Sequence, residues 1–453
     1  MRNEMNDVTK KSDSELLFSK QDLIRLLWPL VVEQLLTVLV GMVDVLMVAY
    51  VGEATVSGVS LVDSVNYLVI QVLFALTAGG TVVCAQFIGR GNFASASKSG
   101  GQLLLLTTSL MMILSAGFLL KGDYLLALIF GQVESRVMED AVKYMLFTAA
   151  SFPFLAIYYS SAAVFRAAGN TKLAMLASLG MNILNIVGNA ICIFGLHMGV
   201  VGVALPTLVA RAVAALFMVY CVQNFGNNVR LQDVSQLQPD RSIIRKILSI
   251  GIPNSVESGL FNLGKILLQS LVSTLGTASI AAYAVASNLA TYLYLPGNAL
   301  GAGMITIVGQ CYGARKPEQA HYYAKILLYL NYAFLAVICA VMIFGRSFWV
   351  SCYNLSPHSA TLAEGLIFSH SAAMVIWPVA FLLPYYYRAV GKAAFTMKVA
   401  VFAMAVFRVG LAYLFVEVWH KNVLWVWYAM FVDWLFRVVV YGYSFRKGDT
   451  FDD

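Results

Sequence analysis

Trp28-Pro29-Leu-Val-Val-Glu33, running on to Val51-Gly52-Glu-Ala54, decides how this chain is built, because the same text returns as Ile252-Pro253-Asn-Ser-Val-Glu257 and Gly276-Thr-Ala278. Pro29 pairs with Pro253, Glu33 with Glu257, Gly52 with Gly276 and Ala54 with Ala278, all at one offset of 224. Gln86 and Gly89 pair with Gln310 and Gly313 at the same offset, and Arg166-Ala-Ala-Gly169 returns as Arg388-Ala-Val-Gly391 at an offset of 222. A period of roughly half the chain is too long for a solenoid unit and points to two related halves. In a membrane, such halves form a site between two moving bodies.

Composition supplies the membrane. The 453 residues are 60% hydrophobic and only 12% charged, with a mean hydropathy of +0.76. No soluble chain of this length keeps such a surface wet. Apolar stretches of about 20 residues or more, broken by short polar turns, number about twelve. The expected fold is an all-α polytopic membrane protein with twelve transmembrane helices in two six-helix lobes. Six spans per half return each half to the side it left, so the repeat is parallel.

Basic residues set the orientation. Lys10, Lys11, Arg90, Lys172, Arg245, Arg315 and Arg446 fall at one set of span ends, whereas the other set carries few, among them Lys121 and Arg346. The positive-inside rule places both termini in the cytoplasm of a multi-pass plasma-membrane protein. It also accounts for the net charge of +7 without any nucleic-acid partner. The boundaries expected are a cytoplasmic segment 1–22, an N-lobe 23–226, a cytoplasmic connector 227–246, a C-lobe 247–446 and a tail 447–453. The first twenty residues are polar and lack a signal-peptide core. Six scattered cysteines read as core filler, and the five histidines as solvated or interfacial groups. No Gly-x-x-x-x-Gly-Lys-Ser/Thr loop is present, so no nucleotide is expected to power the chain.

An ionisable residue inside a span is costly enough to suggest function. Asp44 lies about 30 Å along a first helix of about 40 Å, at 1.5 Å per residue. Glu33 precedes it on nearly the same face. On the fifth span Asn182, Asn185 and Asn189 share a face of an otherwise apolar helix, and buried amides need partners. A carboxylate with amide oxygens suits a small hard cation, or the carboxylate carries a proton. Asp63 is a weaker candidate near the outer water.

The second half does not copy this site: Leu268 stands opposite Asp44, and Met404 and Phe407 opposite Asn182 and Asn185. It offers Glu257, Lys265, Lys398 and Arg408 instead. Glu257 and Lys265 are placed for a strained bond to each other, or for an ion pair with another span. The duplicated Arg166 and Arg388 are expected to cap helix carbonyls and meet lipid phosphates.

Together these residues resemble the multidrug and toxic compound extrusion (MATE) family. The matching pieces are Trp28-Pro29, Val43-Asp44, Val51-Gly52-Glu-Ala54, Ala85-Gln86-Phe-Ile-Gly89, Phe165-Arg-Ala-Ala-Gly169-Asn-Thr-Lys172, Asn185-Ile-Val-Gly-Asn189, Gly251-Ile-Pro253 and Arg388-Ala-Val-Gly391. The resemblance implies a non-enzymatic antiporter that exports organic, lipophilic cationic compounds in exchange for H⁺ or Na⁺ by alternating access, acting as a monomer without a cofactor. It also implies a cation site at Asp44, Asn185, Asn189 and Thr207, with Val203 offering a backbone carbonyl and Na⁺ as one possible occupant. Many relatives carry Asp where this chain has Asn189. The C-lobe acids of some members fall at Phe261 and near Trp377, so no ion site is expected there. Glu33, Glu257, Lys265 and Asn182 remain possible substrate or coupling residues. Two rivals stand beside this reading. A lipid or lipid-linked saccharide flippase would line its cavity with cations such as Lys265, Arg211 and Arg408. An intramembrane enzyme would bring Asp44, Asp63 and Glu257 together.

Overall fold

The computed structural model describes residues 16–131, 133–224, 229–231 and 234–448. Residues 1–15 of the N-terminal segment, 227–228 and 232–233 of the connector and 449–453 of the tail lie outside them. The described residues are almost entirely helical and contain no strand.

Among the described residues twelve long helical segments follow one another, with a short 3-10 turn at Val234–Leu237 between the sixth and the seventh. The first lobe has α1 (Lys20–Val51), α2 (Glu53–Gly89), α3 (Phe93–Phe130), α4 (Ser135–Ala167), α5 (Thr171–Gly195) and α6 (Val201–Asn224). The second has α7 (Arg241–Ser273), α8 (Thr277–Gly313), α9 (Pro317–Ser351), α10, α11 (Ala393–Val418) and α12 (Val423–Lys447). The tenth, α10, is broken into Pro357–Ala373 and Trp377–Ala389, which meet at 75°. Pro378 lies at the start of its second piece, where a missing N–H is tolerated. Nine of these segments are individually long and apolar enough to cross a bilayer, ten with the bent pair taken as one span. The other two, α7 and α8, have 33 and 37 residues, but polar positions dilute them, such as Asn254, Glu257 and Lys265 in α7 and Ser287, Asn288 and Asn298 in α8.

Local chemistry sets the ends. Ser19 caps α1, accepting from the Asp22 amide while the Asp22 carboxylate accepts from the Ser19 amide, a reciprocal capping box. Asp240 caps α7 by accepting from the amides of Ser242 and Ile243. Gly52 separates α1 from α2 at φ +139°, and Gly276 separates α7 from α8 at φ +88°, conformations open to glycine.

The duplication is visible in the backbone as well as the text. Ten of the twelve positive-φ residues among those described fall in matched pairs: Gly52 with Gly276, Gly91 with Arg315, Gly131 with Asn354, Gly169 with Gly391 and His197 with His420. The π-helical turn Ile191–Gly195 that ends α5 likewise has its counterpart in Leu414–Val418 at the end of α11.

Among the described residues the lobes share a core at one end only. Leu26, Leu27 and Leu30 of α1 pack with Leu300 and Met304 of α8. Val82 and Leu103 pack with Ile247 and Ile305. All of these lie in the half of the molecule that holds the start of α1 and the ends of α2 and α8. In the other half, Val62, Met111, Phe152 and Val203 form a core wholly within the first lobe. Leu268, Leu293, Trp377 and Trp434 form one wholly within the second. The closed end is tight enough to require glycine: a Cβ on Gly89 would lie 2.0 Å from the Gln310 carbonyl oxygen, and one on Gly313 at 2.0 Å from that of Gln86.

Two expectations need correcting. His370 is fully buried rather than solvated, because the Tyr294 hydroxyl meets its Nε2 at 2.9 Å. Cys352 is exposed, unlike buried Cys84, Cys221, Cys311 and Cys339, because it lies just past the end of α9.

Candidate functional site in the first lobe

On α5, Asn185 and Asn189 are one turn apart and face the same way. Gly188 sits beside them, and a Cβ there would come within 2.6 Å of the Pro206 side chain. Its absence lets α6 lie close against α5, which brings Thr207 into reach. Asn185 Nδ2 donates to Thr207 Oγ1 at 2.9 Å, and that hydroxyl donates to the Val203 carbonyl at 2.9 Å. Asn189 Nδ2 donates both to Asn185 Oδ1 and to Asp44 Oδ1 of α1, each at 3.3 Å. A continuous chain of polar groups therefore runs Asp44, Asn189, Asn185, Thr207, Val203. Asn189 is 1% exposed, and its Oδ1 is buried without a hydrogen-bond partner. An unpaired acceptor in such a place costs on the order of 1–3 kcal/mol.

These groups line a cavity of about 410 Å³ within the first lobe, together with Asn182, Asp63, Tyr144 and Arg211. Asp63 of α2 accepts from Asn66 Nδ2 at 3.2 Å and from the Tyr144 hydroxyl at 3.5 Å. Arg211 donates to Ser151 Oγ at 2.7 Å. The cavity therefore holds two carboxylates and one guanidinium. Tyr144 carried no sequence signal: it is one tyrosine among 23, and only folding sets it beside Asp63. Asp63 was discounted for its nearness to outer water, yet it shares the cavity with Asp44.

The remaining candidates lie elsewhere. Glu33 accepts from Arg166 at 2.5 Å, and Glu257 accepts from Arg388 at 2.7 Å, in matched positions of the two lobes. The two arginines thus turn inward rather than to lipid phosphates, because burial makes a carboxylate the better partner. Their carbonyl-capping role falls instead to glutamines. Gln86 Nε2 donates to the Ala389 carbonyl and Gln310 Nε2 to that of Ala167. Glu257 also accepts from Thr396, which leaves Lys265 without it. Lys265 sits 5.4 Å from the Phe261 ring centroid in the second lobe.

Comparison with known proteins follows the same outline. The chain matches the MatE family profile over residues 29–191 and 253–414. It is 25% identical over 429 residues to an uncharacterized transporter, YisQ, of Bacillus subtilis (strain 168), covering 92% of each chain. It is 27% identical over 306 residues to a probable multidrug resistance protein, NorM, of Thermotoga maritima, covering 66% of this chain and 64% of that one. Its fold superimposes on the outward-facing conformation of a MATE family multidrug resistance transporter of the MOP superfamily, with a TM-score of 0.87. That match has 21% identity and covers 94% of this chain and 95% of the other.

Proposed function

The chain belongs to the MatE family of multi-pass membrane transporters, and from that premise we propose that it is a cation-coupled antiporter. It exports organic, cationic, drug-like compounds across the plasma membrane by alternating access of its lobes. The observation that carries this reading is the polar chain from Asp44 to Val203 with its unpartnered Asn189 oxygen. It opens into a cavity in the half where the lobes no longer share a core.

The donor set suits a hard monovalent cation: one carboxylate, two amide oxygens, a hydroxyl and the Val203 carbonyl. It equally suits a proton on Asp44. In either case one positive charge neutralises the site, since Arg211 offsets Asp63 within the same cavity. Binding there drives export only by favouring one arrangement of the lobes over the other. The present arrangement, joined at the end where α1 begins and α12 finishes, is the outward-facing one when that end is cytoplasmic, as the basic residues favour. Glu33 and Glu257, each held by an arginine, belong to the frame rather than to the coupling site.

The geometry weighs against the rivals. An enzyme needing Asp44, Asp63 and Glu257 together would find Glu257 in the other lobe, bound to Arg388. A flippase needing cations throughout its cavity would find Arg211 outnumbered by two acids in the first lobe. The test is dye transport in proteoliposomes with H⁺ and Na⁺ gradients imposed separately. Asp44→Asn is expected to abolish gradient-driven accumulation while leaving dye binding intact. Wild-type accumulation in this variant would refute the coupling role.

A further inference from the structure

The second lobe contains a polar cluster that the coupling site does not use. Lys265 Nζ of α7 and Arg408 Cζ of α11 lie 5.4 and 5.2 Å from the centroid of the same ring, Phe261. Arg408 is 7% exposed, and its Nε and Nη1 are buried without hydrogen-bond partners. Its nearest acid, Asp433, is 3.6 Å away, beyond hydrogen-bonding distance. Asp433 is already committed through Oδ1 to Arg437 Nε at 2.7 Å. Lys265 is exposed and makes no ion pair or hydrogen bond among the described residues. Arg408 and Arg437 thus share one acid, and Lys265 adds a further positive charge beside the same ring as Arg408.

The helix places this excess charge. Lys265 follows Ile247 by 18 residues, five full turns, so the two project in the same direction. Ile247 packs against Val82 and Leu103 of the first lobe. The helical period therefore puts Lys265 on the α7 face that Ile247 turns to the first lobe, in the half where the lobes have parted. Two cations beside one aromatic ring, one of them a guanidinium whose Nε and Nη1 lack hydrogen-bond partners, match an oxyanion attached to an apolar body.

We propose that the second-lobe wall of the cleft is an anion-recognising subsite in which Lys265 and Arg408 grip a carboxylate on the cargo. The acids of the first lobe face the opposite wall, so the preferred cargo is zwitterionic: a cationic organic compound that also carries a carboxylate. This deepens the export reading and rests on it only in taking the cleft as the route of the cargo.

The test is equilibrium binding to the purified full-length protein in nanodiscs, without any gradient, read by fluorescence anisotropy at fixed salt. The probes are a zwitterionic rhodamine with a free benzoate and the methyl ester of the same dye. Wild type is expected to favour the free acid by about tenfold, the scale of one charge-assisted hydrogen bond. Lys265→Gln is expected to erase that preference without weakening the ester, and Lys265→Arg to restore it. Equal binding of the two dyes to wild type, binding of neither, or a preference that survives in Lys265→Gln would overturn the subsite. Because no gradient is present, loss of coupling at Asp44 leaves this result unaffected. Tight ester binding without acid preference would sink the subsite and leave the export reading standing.

Discussion

Gln86 donates through Nε2 to the carbonyl oxygen of Ala389 at 2.8 Å, a bond that crosses from one lobe to the other. Its counterpart Gln310 returns the gesture to Ala167 at 2.7 Å. The same two glutamines present their own carbonyls to Gly313 and Gly89. The lobes are thus clasped by a duplicated element at their shared end.

Releasing the clasp is expected to loosen that end. Gln86→Ala with Gln310→Ala leaves two carbonyls unpaired, at about 1–3 kcal/mol each. Spin labels at the ends of α2 and α8 should then report a second, longer distance. A single unchanged distance would show that the glutamines do not hold the lobes together.

At the coupling site, Asn189→Asp places a second carboxylate beside Asp44. Na⁺ affinity, measured by calorimetry on detergent-solubilised protein, is expected to rise by about tenfold or more, because an added acid at this range attracts a cation strongly. An unchanged affinity would mean that Asn189 does not face the ion.

The Glu33–Arg166 pair gives a stability prediction. Glu33→Gln leaves a buried guanidinium unpaired, which is expected to cost about 3–5 kcal/mol. Adding Arg166→Gln should recover most of that loss, as followed by thermal unfolding. Folded Glu33→Gln protein is expected to keep gradient-driven transport, and loss of coupling in folded protein would return Glu33 to the coupling machinery.

The connector gives a pH prediction. Lys98 donates to Asp240 at 2.6 Å, and Gln102 of α3 accepts from the Asp240 amide. The Lys98 bond first, then the helix-end amides, hold the Asp240 carboxyl below its ordinary 3.8. A depressed acid stabilises above its unfolded value and loses that contribution as pH falls through its own lower one. Acid-stable protease cleavage near residue 240 is therefore expected to accelerate only below about pH 4, and Asp240→Asn to show the fast rate at every pH. A wild-type rate that is flat across this range would exclude a stabilising role for the Lys98–Asp240 contact.

Much of this was legible in the sequence because cost leaves a trace there. Asp44, Asn185 and Asn189 stand out as polar groups on apolar helices, and the structure brings all three together with Thr207. The repeat at 224 foretold the clasp positions, though not that the glutamines would cross between lobes. Arg166 misled, since a basic residue at a span end looks the same whether it turns out to lipid or in to Glu33. Tyr144, Asp63 and Arg211 were illegible as a group. Their meeting depends on how α2, α4 and α6 converge, which no single helix encodes.

The matched left-handed corners have one more consequence. Gly91 and Gly131 bend at φ +71° and +69°, whereas their counterparts Arg315 and Asn354 bend at +56° and +49° without glycine's freedom. A non-glycine residue in that region costs roughly 1–2 kcal/mol. Side chains have diverged along nearly the whole length of the two copies, while these joints have kept φ positive even where the residue is not glycine. The joints behave like a mechanical gauge: one residue inserted in the first turn of the helix after any of them would rotate the rest of that helix by about 100°, and a lobe so altered would no longer seat against its twin.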